Sequence, residues 1–227
     1  IRLSLVGSEM CIRDRYLILE PNDSYYERGK PRVEKVVFKI IPDQTTLLSQ
    51  LRGGEIDVME AVPPAEIAPI ERDHPELVVA SFPTRAYNYI GWNGAREPFD
   101  DRRVRRALTM AIDVQTIIDN LYYGHARVCN SPFVPLVWAY DPSIEPLPFD
   151  PDAALQLLAE AGIEDTDGDG WLDREGEPFE IELSTNYGNQ IRMDTQVMVQ
   201  EMLRRIGIKV EVRAIEWTVF LSRLSLI

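Results

Sequence analysis

The sequence has 227 residues, 45% of them hydrophobic, with 37 acidic against 24 basic side chains and a net charge of −13. That is enough apolar material for one large or two modest cored domains, which excludes a disordered chain. The negative field repels phosphate backbones and anionic lipid, so no nucleic-acid partner is expected.

The longest apolar runs, such as VVFKII, are far shorter than the roughly twenty residues a helix needs to cross a bilayer. Cys11 and Cys129, with His74 and His125, offer neither zinc-ligand spacing nor a disulfide framework. The stretches SLVGSEMCIRDR (4–15) and LSLI (224–227) look like translated adapter read-through. Residues 1–15 and 224–227 are therefore expected to be a non-native leader and tail.

From Arg32 onward, strand-like and helix-like segments alternate, the pattern of an α/β protein. VEKVVFKII (33–41) is β-branched and ends at Pro42; Asp43 can cap a helix carrying Leu47, Leu48 and Leu51, with Gly53 and Gly54 as its stop. EIDVMEAV (55–62) is predicted as a short strand, and the proline-rich PPAEIAPIERDHPE (63–76) as a surface connection. LVVASF (77–82) and RAYNYIGWN (85–93) are predicted strands.

In FDDRRVRRALTMAID, Val104, Ala107, Leu108, Ala111 and Ile112 share one helical face, with Asp100 or Asp101 as cap. Asp113 can cap a second helix through Ile117, Ile118 and Leu121, stopped by Gly124. The span 126–149 carries five prolines and several aromatics, and is expected to be irregular and to pack over a core. Pro151 suits the first turn of a helix whose face is Ala154, Leu155, Leu158 and Ala161, ended by Gly162.

FEIELST alternates Phe179, Ile181 and Leu183 with polar residues; a helix through Val199, Met202, Leu203 and Ile206 leads to the strand-like IGIKVEVRAI. Strand, helix, strand with a long crossover predicts a right-handed parallel unit. Ligands of such units lie beyond the carboxyl ends of the strands, here at TNYGNQ (185–190).

Two motifs carry candidate chemistry. DTDGDGWLD (165–173) sets Asp165, Asp167, Asp169 and Asp173 at calcium-loop spacing, with Gly170 sixth and the Trp171 carbonyl as a further oxygen. Position twelve is Gly176, so the closing carboxylate is missing and only weak calcium binding is expected; the alternative is an acidic turn. The second set is amides and aromatics: Tyr87, Asn88, Tyr89, Trp92 and Asn93 on and after a strand, and Asn186, Tyr187, Asn189 and Gln190 at the crevice. Such groups hold a small ligand by hydrogen bonds and flat apolar contact. Arg102, Arg103, Arg105 and Arg106 read as the solvated face of a helix beside Asp100 and Asp101. VGSEM is no nucleophile elbow, and neither histidine has a nucleophile at a recognisable spacing.

KPRVEKVVFKIIPDQTTLLSQLRGGEIDVME, YIGWNGAREPFDDRRVRRALTMAID, FDPDAALQLLAEAGI and RRIGIKVEVRAIEW stand in order over some two hundred residues. Together they resemble the oligopeptide-, dipeptide- and nickel-binding family of ABC-importer solute-binding proteins. The resemblance implies a type II periplasmic-binding-protein-like fold with two lobes that close on a solute by hinge motion. It implies a partial first lobe at 16–81 and most of the second lobe at 82–223. It also implies a monomer, periplasmic or a cell-surface lipoprotein, that hands a peptide or other small solute to an ABC permease without catalysis. Dipeptide-binding members use an arginine and a tyrosine after the strand matching FEIELST to hold the ligand carboxylate; Tyr187 matches in kind, and the nearest arginine is Arg192. A calcium-dependent interaction module and a hydrolase are the competing expectations.

Overall fold

A computed structural model describes residues 16–22, 24–27 and 30–224. The expected leader therefore lies outside the described residues, and of the expected tail only Leu224 is described. The chain forms two compact units, one ending at Pro63 and the other starting at Pro64.

In the first unit, β1 (Tyr16–Leu19) pairs antiparallel with β2 (Val36–Lys39), Tyr16 opposite Lys39 and Leu19 opposite Val36. Helix α1 (Gln44–Arg52) starts where expected, because the Asp43 carboxylate accepts from Thr46 N–H at 2.7 Å, and it ends at Gly53. It buries Leu48 and Leu51. The strand predicted at 55–62 does not form: Val58 is exposed, and the Glu55 carbonyl accepts from Lys39 Nζ at 2.9 Å. β-branched residues fit a pleated surface, but a strand exists only where a neighbour supplies the hydrogen-bond ladder.

The second unit opens with α2 (Pro64–Asp73), where a connection was expected. Pro64 occupies the first helical position, where no N–H is needed, and Ile70 is fully buried despite Pro69 inside the helix. Proline density marked a break here, yet only Pro69 costs an interior hydrogen bond. The strands predicted at 77–82 and 85–93 do not form and these segments enter no ladder among the described residues; Val78, Phe82 and Tyr89 are exposed.

Helices α3 (Arg102–Met110) and α4 (Val114–Leu121) are capped by Asp101 and Asp113, which accept from Arg103 and Thr116 N–H at 2.7 and 3.0 Å. The span 126–149 is irregular as expected, but it is not laid over a core. Val134 is buried, while Trp138 is 97% exposed and Phe133, Leu136 and Phe149 stand out as well. Its prolines block a regular ladder, and Phe133, Trp138 and Phe149 are left largely uncovered.

Helix α5 (Pro151–Glu160) follows, capped by Asp150 and packed on α3. A small antiparallel meander, β3 (Ile163–Glu164), β4 (Asp173–Arg174) and β5 (Glu177–Pro178), brackets the acidic loop. Sequence reading missed it because two-residue strands carry no periodic signal. Then β6 (Glu180–Asn186), α6 (Gln190–Arg204) and β7 (Lys209–Ile215) form the expected parallel unit, Ile181 beside Val210 and Asn186 beside Ile215. Helix α7 (Trp217–Leu224) closes the description.

One core serves this unit. Val104, Ala107 and Leu108 of α3, Ala154 and Leu158 of α5, Ile181 of β6, Val199 and Leu203 of α6, and Ile208 meet in it, nearly all fully buried. Each large aliphatic side chain so buried contributes about 1.5–3 kcal/mol. Gln196 spans the parallel pair from above, donating to the carbonyls of Leu183 and Arg213, and Gln200 donates to Val210 O at 2.7 Å. The carboxyl ends of β6 and β7 are thereby held in register where the chain turns into the predicted crevice.

Candidate ligand-binding site

β6 ends at Asn186, and the ladder runs one bond further as Tyr187 N–H donates to Ile215 O at 2.6 Å. Gly188 then takes φ +89°, a left-handed turn that a side chain disfavours. Asn189 caps α6, its side-chain oxygen accepting from Arg192 N–H at 3.1 Å. This cap fixes the first turn of the helix and so aims Arg192.

The Arg192 guanidinium donates through Nη1 to Asn186 Oδ1 at 2.8 Å and through Nε to Asn88 Oδ1 at 3.1 Å. Asn88 in turn donates through Nδ2 to the Tyr122 hydroxyl at 2.8 Å. The fold thus joins the unpaired segment around Asn88, the end of α4 and the β6–α6 turn in one polar cluster. Of the predicted residues, Asn88, Asn186 and Arg192 meet directly, Asn189 positions Arg192, and Tyr187, which follows Asn186 in the chain, has 72% of its surface exposed.

Three others do something else. Tyr87 and Tyr89 pack on each other, ring centroids 5.7 Å apart. Asn93 forms a local turn, accepting from Ala95 N–H at 3.1 Å. Sequence reading missed Tyr122, since a residue just past a helix end and 34 positions from its partner leaves no local signal.

Several surface arginines face a carboxylate, while Arg105, like Arg192, is held by neutral oxygens. Arg103 faces Asp101, Arg174 faces Glu97, Arg204 and Arg205 face Glu201, and Arg213 and Arg223 face Glu182. Among the described residues Arg192 faces no carboxylate, only neutral amide oxygens, although the chain carries a net charge of −13. A part-buried guanidinium held this way keeps its charge available to an anion.

The acidic loop is built differently. Oxygens of Asp165, Asp167 and Asp173 lie within 4.8 Å of one another, while Asp169 stands outside this group and accepts from Trp171 N–H at 2.8 Å. Asp173 is buried, and its carboxylate is held below the usual range chiefly by the Thr166 hydroxyl and then by the Thr166 N–H. Glu175, adjacent to the twelfth position, leans toward Arg174 at 3.5 Å instead of closing the loop. Leu172 N–H donates to Gly207 O at 2.7 Å, and Lys209 Nζ lies 5.2 Å from the centre of the Trp171 ring. These contacts bolt the loop to the α6–β7 turn, as befits a connector.

Two of the arginines of α3 are equally structural. Arg103 donates to Glu160 O at the end of α5, and Arg105 donates to Phe99 O at 2.6 Å. A groove of about 340 Å³ in the first unit, lined by Tyr16, Ile40, Ile41, Pro42 and Asp43, contains none of the predicted residues. Its one carboxylate, Asp43, is committed to capping α1.

Comparison with known proteins settles the family. The model of the bacterial extracellular solute-binding proteins, family 5 (middle region), matches residues 12–225. The chain belongs to that family. It is 38% identical over 213 residues to the oligopeptide-binding protein AppA of Bacillus subtilis, covering 93% of this chain and 39% of that protein. The structure of B. subtilis AppA in complex with a nonapeptide superposes with a TM-score of 0.76 at 36% identity, over 95% of this chain and 43% of AppA. NikA of Brucella suis in complex with Fe(III)-EDTA gives a TM-score of 0.82 at 25% identity, over 97% of this chain and 44% of NikA.

The fold is therefore the α/β, type II periplasmic-binding-protein-like one, as expected. The chain spans about two fifths of the length of the curated relatives it matches. Those relatives are solute-binding proteins and not enzymes, and neither a calcium module nor a hydrolase finds support among them. Among the described residues, no helix is long and apolar enough to cross a membrane.

Proposed function

We propose that this chain is part of the solute-binding component of an ABC importer, working outside the cytoplasmic membrane as a periplasmic protein or a surface lipoprotein. It captures a peptide or similar small solute between two lobes and delivers it to the transmembrane subunits of a permease. It acts as a monomer, without catalysis and without nucleic acid. Support comes from the family, and from relatives named for oligopeptides, dipeptides and di- or tripeptides.

The observation that carries the proposal is the Arg192 guanidinium, braced by Asn88 and Asn186 and lacking a carboxylate partner among the described residues. With the exposed Tyr187 next in the chain after Asn186, this group suits the carboxylate end of a solute. In this reading the acidic loop is a connector with only weak affinity for calcium.

Calorimetric titration of the gene product containing this chain with di- to pentapeptides is the test. Saturable heat at micromolar peptide is expected, and Arg192→Ala should weaken binding by roughly tenfold or more, the cost of a charge-assisted hydrogen bond. Absence of heat with every peptide, or an Arg192→Ala protein that binds as tightly as the parent, would refute it.

A further inference from the structure

The hydrogen-bond logic of the cluster assigns a role to a residue outside the expected set. Arg192 Nε is a donor and nothing else, so the Asn88 atom 3.1 Å from it is the amide oxygen. The Asn88 NH₂ then faces Tyr122, and the Tyr122 oxygen, 2.8 Å away, accepts. The reverse orientation would set an NH₂ against an N–H and leave two donors face to face. Because the phenol accepts from Asn88, its own hydrogen is not spent on that bond, and no other partner of the hydroxyl exists among the described residues.

We propose that Tyr122 is a positioning and specificity-determining residue of the solute site. It holds the Asn88 oxygen on Arg192 and presents its own O–H as a donor to an acceptor oxygen of the ligand, a carboxylate or a carbonyl. This rests on the solute-binding reading of Arg192. Two of the five guanidinium N–H groups are taken by Asn88 and Asn186; those remaining and the Tyr122 O–H form a set made only of donors. Such a set discriminates against cationic groups, and against amino groups that have no lone pair to offer.

The test uses the 227-residue chain labelled at arginine, with sodium acetate as the probe. Two quantities are read by NMR: the exchange of Arg192 Nε–H with water, and its chemical shift during acetate titration. In the parent, exchange is slow and acetate shifts the signal saturably. Tyr122→Phe keeps the ring and removes the acceptor; exchange should accelerate and acetate affinity should fall, each roughly fivefold, the equivalent of one ordinary hydrogen bond.

Asn88→Asp separates bracing from charge. A carboxylate there still accepts from Arg192, and the Tyr122 O–H can turn to donate to it, so exchange should stay slow while the acetate response disappears. Tyr122→Phe with unchanged exchange and unchanged acetate affinity would overturn the proposal, as would Asn88→Asp that still responds to acetate like the parent. If acetate leaves Arg192 unmoved in the parent, the solute reading fails and takes the donor role with it. If acetate shifts the parent and Tyr122→Phe equally, the solute reading stands and the role of Tyr122 falls.

Discussion

Arg192 Nε donates to the side-chain oxygen of Asn88, a residue 104 positions earlier, across 3.1 Å. The bond ties a segment without a strand partner among the described residues to the first turn of α6, and it is the longest-range link in the candidate site.

Removing that link should loosen the segment without unfolding the core. Arg192→Met keeps the aliphatic stem and loses both side-chain bonds, to Asn88 and Asn186. A loss of about 1–3 kcal/mol is expected, the range for part-exposed bonds to a charged group, with an unchanged urea m-value. Amide exchange should quicken most around Ile90, which packs against the core from the same segment, and at Leu158 only as far as global stability falls.

Gly207 should prove irreplaceable. It takes φ +81°, and a Cβ on it would lie 2.8 Å from the Gly170 carbonyl oxygen and 3.4 Å from Leu172. Gly207→Ala combines a strained backbone with a clash against main chain, so a loss of about 1–3 kcal/mol or more is expected in denaturant unfolding. Gly124→Ala, at φ +79° with open space around its Cβ, is the control and should cost less.

Acid should weaken α6 through Glu201. Hydrogen bonds from Arg204 and then Arg205 lower its carboxyl from 4.5 to about 2. A depressed folded-state value means that the contribution is fully present above the unfolded value of 4.5 and is lost as pH falls toward about 2. Glu201→Gln should therefore lose less stability than the parent between those two pH values, and match its pH trend near neutrality. The pair is exposed, so high salt should narrow the difference.

Calcium should act on the acidic loop only at millimolar concentration. Three clustered carboxylates fall short of the six to eight oxygens that calcium takes, and Asp173 is already engaged by Thr166. A melting temperature that is flat at micromolar calcium and rises at millimolar metal is expected, with Asp167→Asn abolishing the rise. A rise already complete at micromolar calcium would contradict this.

The first unit should exchange its amides fast. Tyr16 and Phe38 on a sheet of two strands, and Ile40 just past it, are all more than half exposed, and such a ribbon is marginal by itself. Hydrogen exchange in β1 and β2 is expected to outpace that in β6 and β7, where Ile181 is buried and α6 covers the pair. Equal protection in the two sheets would count against this account.

What the sequence alone determined is what depends on near neighbours. Asp43, Asp113 and Asp150 cap helices by accepting from an N–H three residues on, Asp101 from one two residues on, and all four starts were legible. The alternation in FEIELST and the face through Val199 and Leu203 likewise predicted the parallel unit, because burial on one side imposes the period. The family resemblance was legible for the same reason, since it lies in ordered runs of residues.

Only the tertiary structure decided where those runs meet. The segments 55–62, 77–82 and 85–93 have strand composition and no strand partner among the described residues, because pairing is a relation between segments that composition cannot express. Helix α2 was hidden by prolines whose cost depends on their position in the turn. The site itself joins residues 88, 122, 186 and 192, and it took the fold to bring Tyr122 to Asn88 and leave Arg192 among neutral oxygens. A side chain's type is local, whereas the charge left unopposed around it is set by everything packed nearby.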